Sequence, residues 1–266
     1  MICTEFTTDD LRHLPALQPP TWGNLVPRFE YFIRSIYCKP LKIIENEQMV
    51  AIGTTMMHKD TAWLACIVTH PEHRKKGLGN LMTVSLINDI DRQKFPTIYL
   101  DATEFGFPVY VKLGFTLENV YGHFIKEGSA LDNTISGKII PFSRAYREQV
   151  YHVDREVSGE DRRGVLGDFI SSSMIYVDQS RVLGYYIPDW GDNPIIAIDD
   201  TAGLELMKLR IKDNDSAILP LENTLAIELL EKNGFRQARF SRRMYLGPER
   251  PWKQDKIFNR ISGQLG

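Results

Sequence analysis

The chain has 266 residues, enough for one large domain or two medium ones. Its 43% hydrophobic and 25% charged residues are those of an ordinary globular protein, and a net charge of −2 argues against general nucleic-acid binding, which needs a broadly basic surface. No apolar run reaches the roughly 18 residues of a membrane span, the early acids of MICTEFTTDD do not suit a secretory leader, and the scattered Cys3, Cys38 and Cys66 suit reduced thiols, so a cytoplasmic protein with no membrane partner is expected.

Strand-like CTEF is followed by Thr7-Thr8-Asp9-Asp10, good cap chemistry for a helix over 9–17. Pro19-Pro20 breaks the chain, and a second helical pattern runs from Leu25 to about Ile36. LKIIENEQMVAIGTTMM reads as a hairpin turning at Glu45-Asn46-Glu47-Gln48, and TAWLACIVT as a strand buried on both faces. The stretch HPEHRKKGLG follows, then an apolar stripe at helical spacing, Leu78, Leu81, Met82, Leu86 and Ile90. Strand TIYLDAT, a short helix at FPVYVKLG and strand FTLENVYGHFIK complete the half, with Pro108 suited to the start of that helix and Gly114 to its stop.

The order then repeats. KIIPF is a strand, RAYREQVYHVDREV and EDRRGVLGDFI are helical, MIYVDQSRVLGYYI is a hairpin and NPIIAIDD a strand. TAGLELMKLRI is a helix, SAILPL a strand, TLAIELLEKNG a helix and FRQARFSRRMYLG the final strand. Ile98 corresponds to Ala217, and the Gly-Phe pair at 114–115 to that at 234–235. A duplicated α/β unit follows, with domains at 1–127 and 138–266 joined by the small, polar stretch 127–137.

The copies differ where the fourth strand meets its helix. Copy one has Arg74-Lys75-Lys76-Gly77-Leu78-Gly79, and copy two has Asp199-Asp200-Thr201-Ala202-Gly203. A helix N-terminus attracts anions, and bases there oppose the dipole unless an anion joins them. Carboxylates at the same place satisfy the N–H groups and repel a phosphate. The first copy therefore carries the phosphate site. A nucleoside-triphosphate loop is excluded, because Gly137-Lys138 is followed by Ile139 with no glycine five places earlier. The dinucleotide fingerprint fails at its third glycine, where Met82 stands.

The loop instead matches Gln/Arg-x-x-Gly-x-Gly/Ala, the coenzyme A loop. With Thr69-His70-Pro71 before it and Tyr110-Val-Lys-Leu-Gly114-Phe115 after it, the chain resembles the GCN5-related N-acetyltransferase superfamily, strongly over 45–125 and loosely over 1–45. Residues 138–266 resemble the degenerate second domain of tandem members. The resemblance implies two mixed α/β sheets, each mostly antiparallel with splayed central strands and flanking helices. It also implies acetyl transfer from acetyl-CoA to a primary amine of a small molecule or amino acid. The pantetheine arm would pair with Ile67, Val68 and Thr69, the pyrophosphate would lie on the amides of Arg74, Lys75, Lys76, Gly77, Leu78 and Gly79, and a strand amide near Val68 would polarise the thioester. Tyr110 would be the general acid, and Trp22 would line the acceptor pocket, although a packing role suits either residue.

Glu104 and Asp101 lie where an acceptor would enter, so Glu104 is a possible base, though each reads first as an ordinary surface carboxylate. His70, His73 and Cys66 give three candidate metal ligands and no fourth, so no metal is expected. The asparagine that many relatives carry early in the fourth helix is replaced by Glu104-Phe105-Gly106-Phe107-Pro108. Arg239-Phe-Ser-Arg242-Arg243 reads as a solvated strand face, or as a holder of an acidic acceptor. The alternative to an enzyme is a non-catalytic acyl-CoA sensor. The expected partner is a small amine, with no nucleic acid, and the tandem form suits a monomer or a homodimer.

Overall fold

A computed structural model describes residues 2–20, 22–128 and 134–264. The chain forms two compact units, Met1–Thr116 with Met244–Pro248, and Leu117–Arg243 with Glu249–Gln264. Of the expected linker, residues 129–133 lie outside the described residues. Among the described residues no helix is long and apolar enough to cross a membrane.

The first unit opens with β1 (Ile2–Glu5), a 3-10 turn over Thr8–His13 and α1 (Leu14–Leu17). The single helix expected at 9–17 is thus split. Pro15 has no N–H to give the carbonyl one helical turn back, so the tighter turn ends and a new helix starts. Next come α2 (Leu25–Arg34), β2 (Cys38–Glu45) and β3 (Gln48–Met57). The hairpin turn is only Asn46-Glu47, with φ of 50° and 64°, the left-handed pair that suits the twist of adjoining strands. β4 (Thr61–Thr69), α3 (Leu78–Asn88), β5 (Thr97–Ala102) and α4 (Phe107–Lys112) complete the order read from the sequence.

Strands β1 to β4 pair antiparallel in chain order, and β5 joins β4 in parallel. One face of the sheet buries Leu78, Met82 and Leu86 of α3 against Leu64, Ile98, Leu100 and Met244. A separate aromatic group, Phe6 with Phe29 and Phe32 of α2, has ring centroids 4.7 and 5.3 Å apart. Residues 244–248 finish this unit. Thr97 Oγ1 donates to the carbonyl of Pro248 at 2.8 Å, and Met244 is fully buried.

The second unit begins with β6 (Thr116–Lys126) and continues through β7 (Ile139–Pro141), α5 (Arg147–Ser158), α6 (Arg163–Phe169), β8 (Met174–Asp178), β9 (Arg181–Tyr186) and β10 (Ile195–Ala197). It then runs through α7 (Asp200–Arg210), β11 (Ser216–Pro220), α8 (Thr224–Lys232) and β12 (Phe235–Leu246). The repeat is visible in the backbone. Gly114 and Gly234 both stop a helix with φ of 89° and 79°.

Two sequence expectations need correction here. β12 is not the final strand, because β13 (Ile257–Asn259) follows it and pairs antiparallel with β10. Three residues after a Pro- and Lys-rich stretch carry too little periodicity to announce a strand. Arg243 is not on a solvated face. It is 1% exposed, ion-paired with Glu118 and Glu160, and its guanidinium lies 4.3 Å from the centroid of the Trp252 ring.

Candidate active site

Strands β4 and β5 stay together only at their beginnings. The parallel register runs from Thr61 opposite Thr97 to Leu64 opposite Leu100 and stops there, although β4 continues to Thr69. The stacked rings of Trp63 and Tyr99, 5.2 Å apart and both buried, fasten the last paired rungs. Immediately beyond, Cys66 takes φ of 50°, in the left-handed region that costs a residue with a β-carbon of order 1 kcal/mol. The register against β3 shifts at the same place. This bulge turns residues 65–69 away from β5 and leaves one edge of β4 without a strand partner among the described residues.

Ladder alternation fixes which amides face that edge. His70 N–H donates to the carbonyl of Val50 at 2.9 Å, so His70 and Val68 direct their backbone groups to β3. Thr69 and Ile67, between and beside them, face the open side. The sequence expectation of an amide near Val68 is thereby sharpened, since Val68 itself is committed to β3.

The basic loop leaves the same end of β4. Arg74, Lys75 and Lys76 are exposed, and none enters an ion pair among the described residues. Lys75 and Gly77 both have left-handed backbone, φ of 63° and 80°. Gly77 is the N-cap of α3 with no side chain capping the helix, so the first-turn N–H groups are left for a ligand. Its backbone angle, not crowding, requires glycine, because the space around it is open. Leu78 is buried under the helix, and Gly79 lies beside Thr69. Exposed unpaired bases, free N–H groups and an open strand edge fit a phosphorylated ligand with an amide-bearing arm.

α4 brings Tyr110 to the α3 side, half-buried and 6.0 Å from the Phe115 ring. Its hydroxyl has no hydrogen-bond partner among the described residues. Burial, helped by the negative charge of Asp101, pushes the phenol well above its usual range, so it stays protonated. Glu104 is exposed and makes no hydrogen bond or ion pair among the described residues. Trp22 is half-buried in a turn held by Gln18, whose side-chain amide donates to the carbonyls of Pro19, Trp22 and Gly23 and accepts from the Leu25 N–H. His73 is held by Glu45 and Gln48, each at 3.2 Å. Among the described residues no group of His, Cys, Asp and Glu forms a candidate metal centre.

One residue that sequence reasoning missed stands beside the bulge. Arg28 of α2 lies beside the buried thiol of Cys66, whose pKa burial pushes up to about 12 against the pull of the nearby guanidinium. The signal was present: Arg28 lies three residues after Leu25 and four before Phe32, on the buried stripe of its helix.

The second unit has the same elements with the openings closed. Asp199 accepts the Ala202 N–H at 2.9 Å and caps α7, as its carboxylate suggested, while Lys256 reaches Asp200 at 2.5 Å. β13 lies along β10, Asn259 Oδ1 accepts the Ile218 N–H at 2.7 Å, and Arg260 N–H donates to the Ile218 carbonyl at 2.8 Å. The chain's own segment thus bridges β10 and β11. Phe258, fully buried, lies so close to Gly203 that any β-carbon there would collide with its ring.

The model of FR47-like proteins matches residues 43–122, and that of the acetyltransferase (GNAT) domain matches 150–259. A protein from Pyrococcus horikoshii provisionally assigned as an acetyltransferase superposes with a TM-score of 0.85 at 19% identity, over 100% of this chain and 95% of that one. A GCN5-related N-acetyltransferase from Sphaerobacter thermophilus gives 0.62 at 12% identity, over 94% and 96%. One from Anabaena variabilis gives 0.61 at 12%, over 92% and 72%. No curated protein matches the chain by sequence. At these identities the structural likeness is one of fold.

Proposed function

The chain belongs to the GCN5-related N-acetyltransferase superfamily as a tandem of two such domains, and from that premise we propose that its first unit transfers an acetyl group from acetyl-CoA to the primary amine of a small molecule or amino acid. The observation that carries this reading is the unpartnered edge of β4 beside an uncapped, base-rich helix start. The amides of residues 77–79 and the bases Arg74, Lys75 and Lys76 hold the pyrophosphate, and the open edge at Ile67 and Thr69 pairs with the pantetheine amides.

Acetyl-CoA supplies the thioester. The amine lone pair forms the new C–N bond, the electrons of the C–S bond leave on sulfur, and the nitrogen gives up its extra proton to water. An open-edge amide of β4 stabilises the charge on the carbonyl oxygen. Tyr110 gives its proton to the departing sulfur and regains one from the water that took the amine's; its raised pKa keeps the phenol protonated before each turnover, at some cost in acid strength. The free state of all three cysteines suits a reducing cytoplasm.

Free-thiol release from acetyl-CoA over a panel of amines tests the reading, with cofactor binding followed by calorimetry. Tyr110→Phe is expected to keep the cofactor Kd within about twofold and to lower kcat by about 10- to 100-fold. Binding without thiol release for any amine would point to an acyl-CoA sensor, and unchanged turnover in Tyr110→Phe would remove the donor role.

A further inference from the structure

Resting on the acyl-transfer reading above, we propose that Arg28 is the specificity-determining residue of the acceptor site and that the acceptor is an amine bearing a carboxylate, which docks on its guanidinium. The side chains of α3 and α4, with Leu64, Ile67, Leu100 and Tyr110, fill one face of the sheet at the gap. A thioester in the gap is therefore open to attack from the other face. Cys66 lies outside that apolar group, and α2 buries its own stripe with Phe6 instead. Arg28 stands on this open side. It lies beside Cys66 at the bulge, and its Nη2 is 3.5 Å from where a β-carbon on Gly23 would be, in the turn fastened by Gln18.

A half-buried guanidinium normally faces a carboxylate, because its charge is costly to desolvate alone. Arg28 has none: it enters no ion pair among the described residues, and the Cys66 thiol beside it is neutral at working pH. Arginine is always charged, and its planar fork matches a carboxylate in two hydrogen bonds. The acceptor amine needs to reach the thioester carbon, and a carboxylate held at Arg28 would aim it from beside the bulge.

Thermal-shift titration of the coenzyme A-loaded protein with each of the common amino acids, as free acid and as carboxamide, combined with thiol release from acetyl-CoA, tests this. At least one free acid should raise the melting temperature and accept the acetyl group, with its amide weaker by about 30-fold or more, the scale for removing one partner of a buried charge pair. Arg28→Gln should bring acid and amide to parity without changing coenzyme A affinity. Arg28→Lys should keep a reduced preference for the acid, which separates lost recognition from lost folding. Equal use of acids and amides, an undiminished acid preference in Arg28→Gln, or no binding by any acid would overturn the proposal. Acids that bind through Arg28 without releasing thiol would uphold the docking and count against acetyl transfer; turnover confined to amines without a carboxylate would do the reverse.

Discussion

His123 shows how a single buried group sets the acid limit of a fold. It lies on β6, 8% exposed, and its Nε2 is 2.9 Å from Ser241 Oγ, which in turn accepts from Arg260 at 3.3 Å. The imidazole is enclosed by positive charge and has little water to solvate a second proton. Burial first, and the charges of Arg260 and Arg239 next, lower its pKa from 6.5 to about 3. The unfolded chain then binds the proton more readily than the folded one between those values, so this stability is complete above pH 6.5 and is lost as the pH falls. Between pH 6.5 and 5 the loss is about 2 kcal/mol. Urea unfolding across that range should show His123→Gln flatter by about that amount, and an equally steep variant would place the acid sensitivity elsewhere. Residue chemistry of this kind was hidden in the sequence, because nothing local tells that His123, Ser241 and Arg260 meet. Arg74 to Gly79 were readable for the opposite reason: their meaning lies in one contiguous turn.

At the scale of the element, the starts of α3 and α7 are a natural pair of experiments. Both helices have 11 residues and follow equivalent strands, but Gly77 opens one and Asp199 caps the other. Asp199→Ala removes a side-chain cap and should cost about 1 kcal/mol of stability in denaturant titration, with the Kd for coenzyme A unchanged. Gly77→Ala puts a β-carbon at a φ of 80° and should raise that Kd several-fold along with a cost of about 1 kcal/mol. If Asp199→Ala weakened the cofactor instead, the assignment of the site to the first helix would fail. Helix starts were legible because caps and glycines act within a few residues. The divergence of β4 from β5 was known only through resemblance, since the apolar run TAWLACIVT gives no sign that pairing ends at Leu64 or that Cys66 turns left-handed. β13 was missed because its reason to be a strand is the vacant edge of β10, which is remote in sequence.

For the whole molecule, the duplication was readable from the spacing of Gly114 and Gly234, but the exchange of segments was not. The pattern of FTLENVYGHFIK says strand without saying which unit it completes. Leu117 onward belongs to the second unit, and 244–248 return to the first. A protein truncated after residue 137 therefore lacks the segment beside β5 and strands β6 from its unit. It should show weak near-ultraviolet dichroism and no coenzyme A binding, whereas the full chain binds one equivalent by calorimetry. A truncated protein that folds and binds, or a full chain that binds two, would contradict this account. The strand that fills the second unit has one more consequence. A dissociable ligand stabilises its host by an amount that rises with concentration, about 2.7 kcal/mol at a hundred times Kd. A tethered segment is always present at high effective concentration. On the proposed reading, metabolic scarcity thus loosens the first unit, while the half with a built-in tenant keeps its firmness in famine and plenty alike.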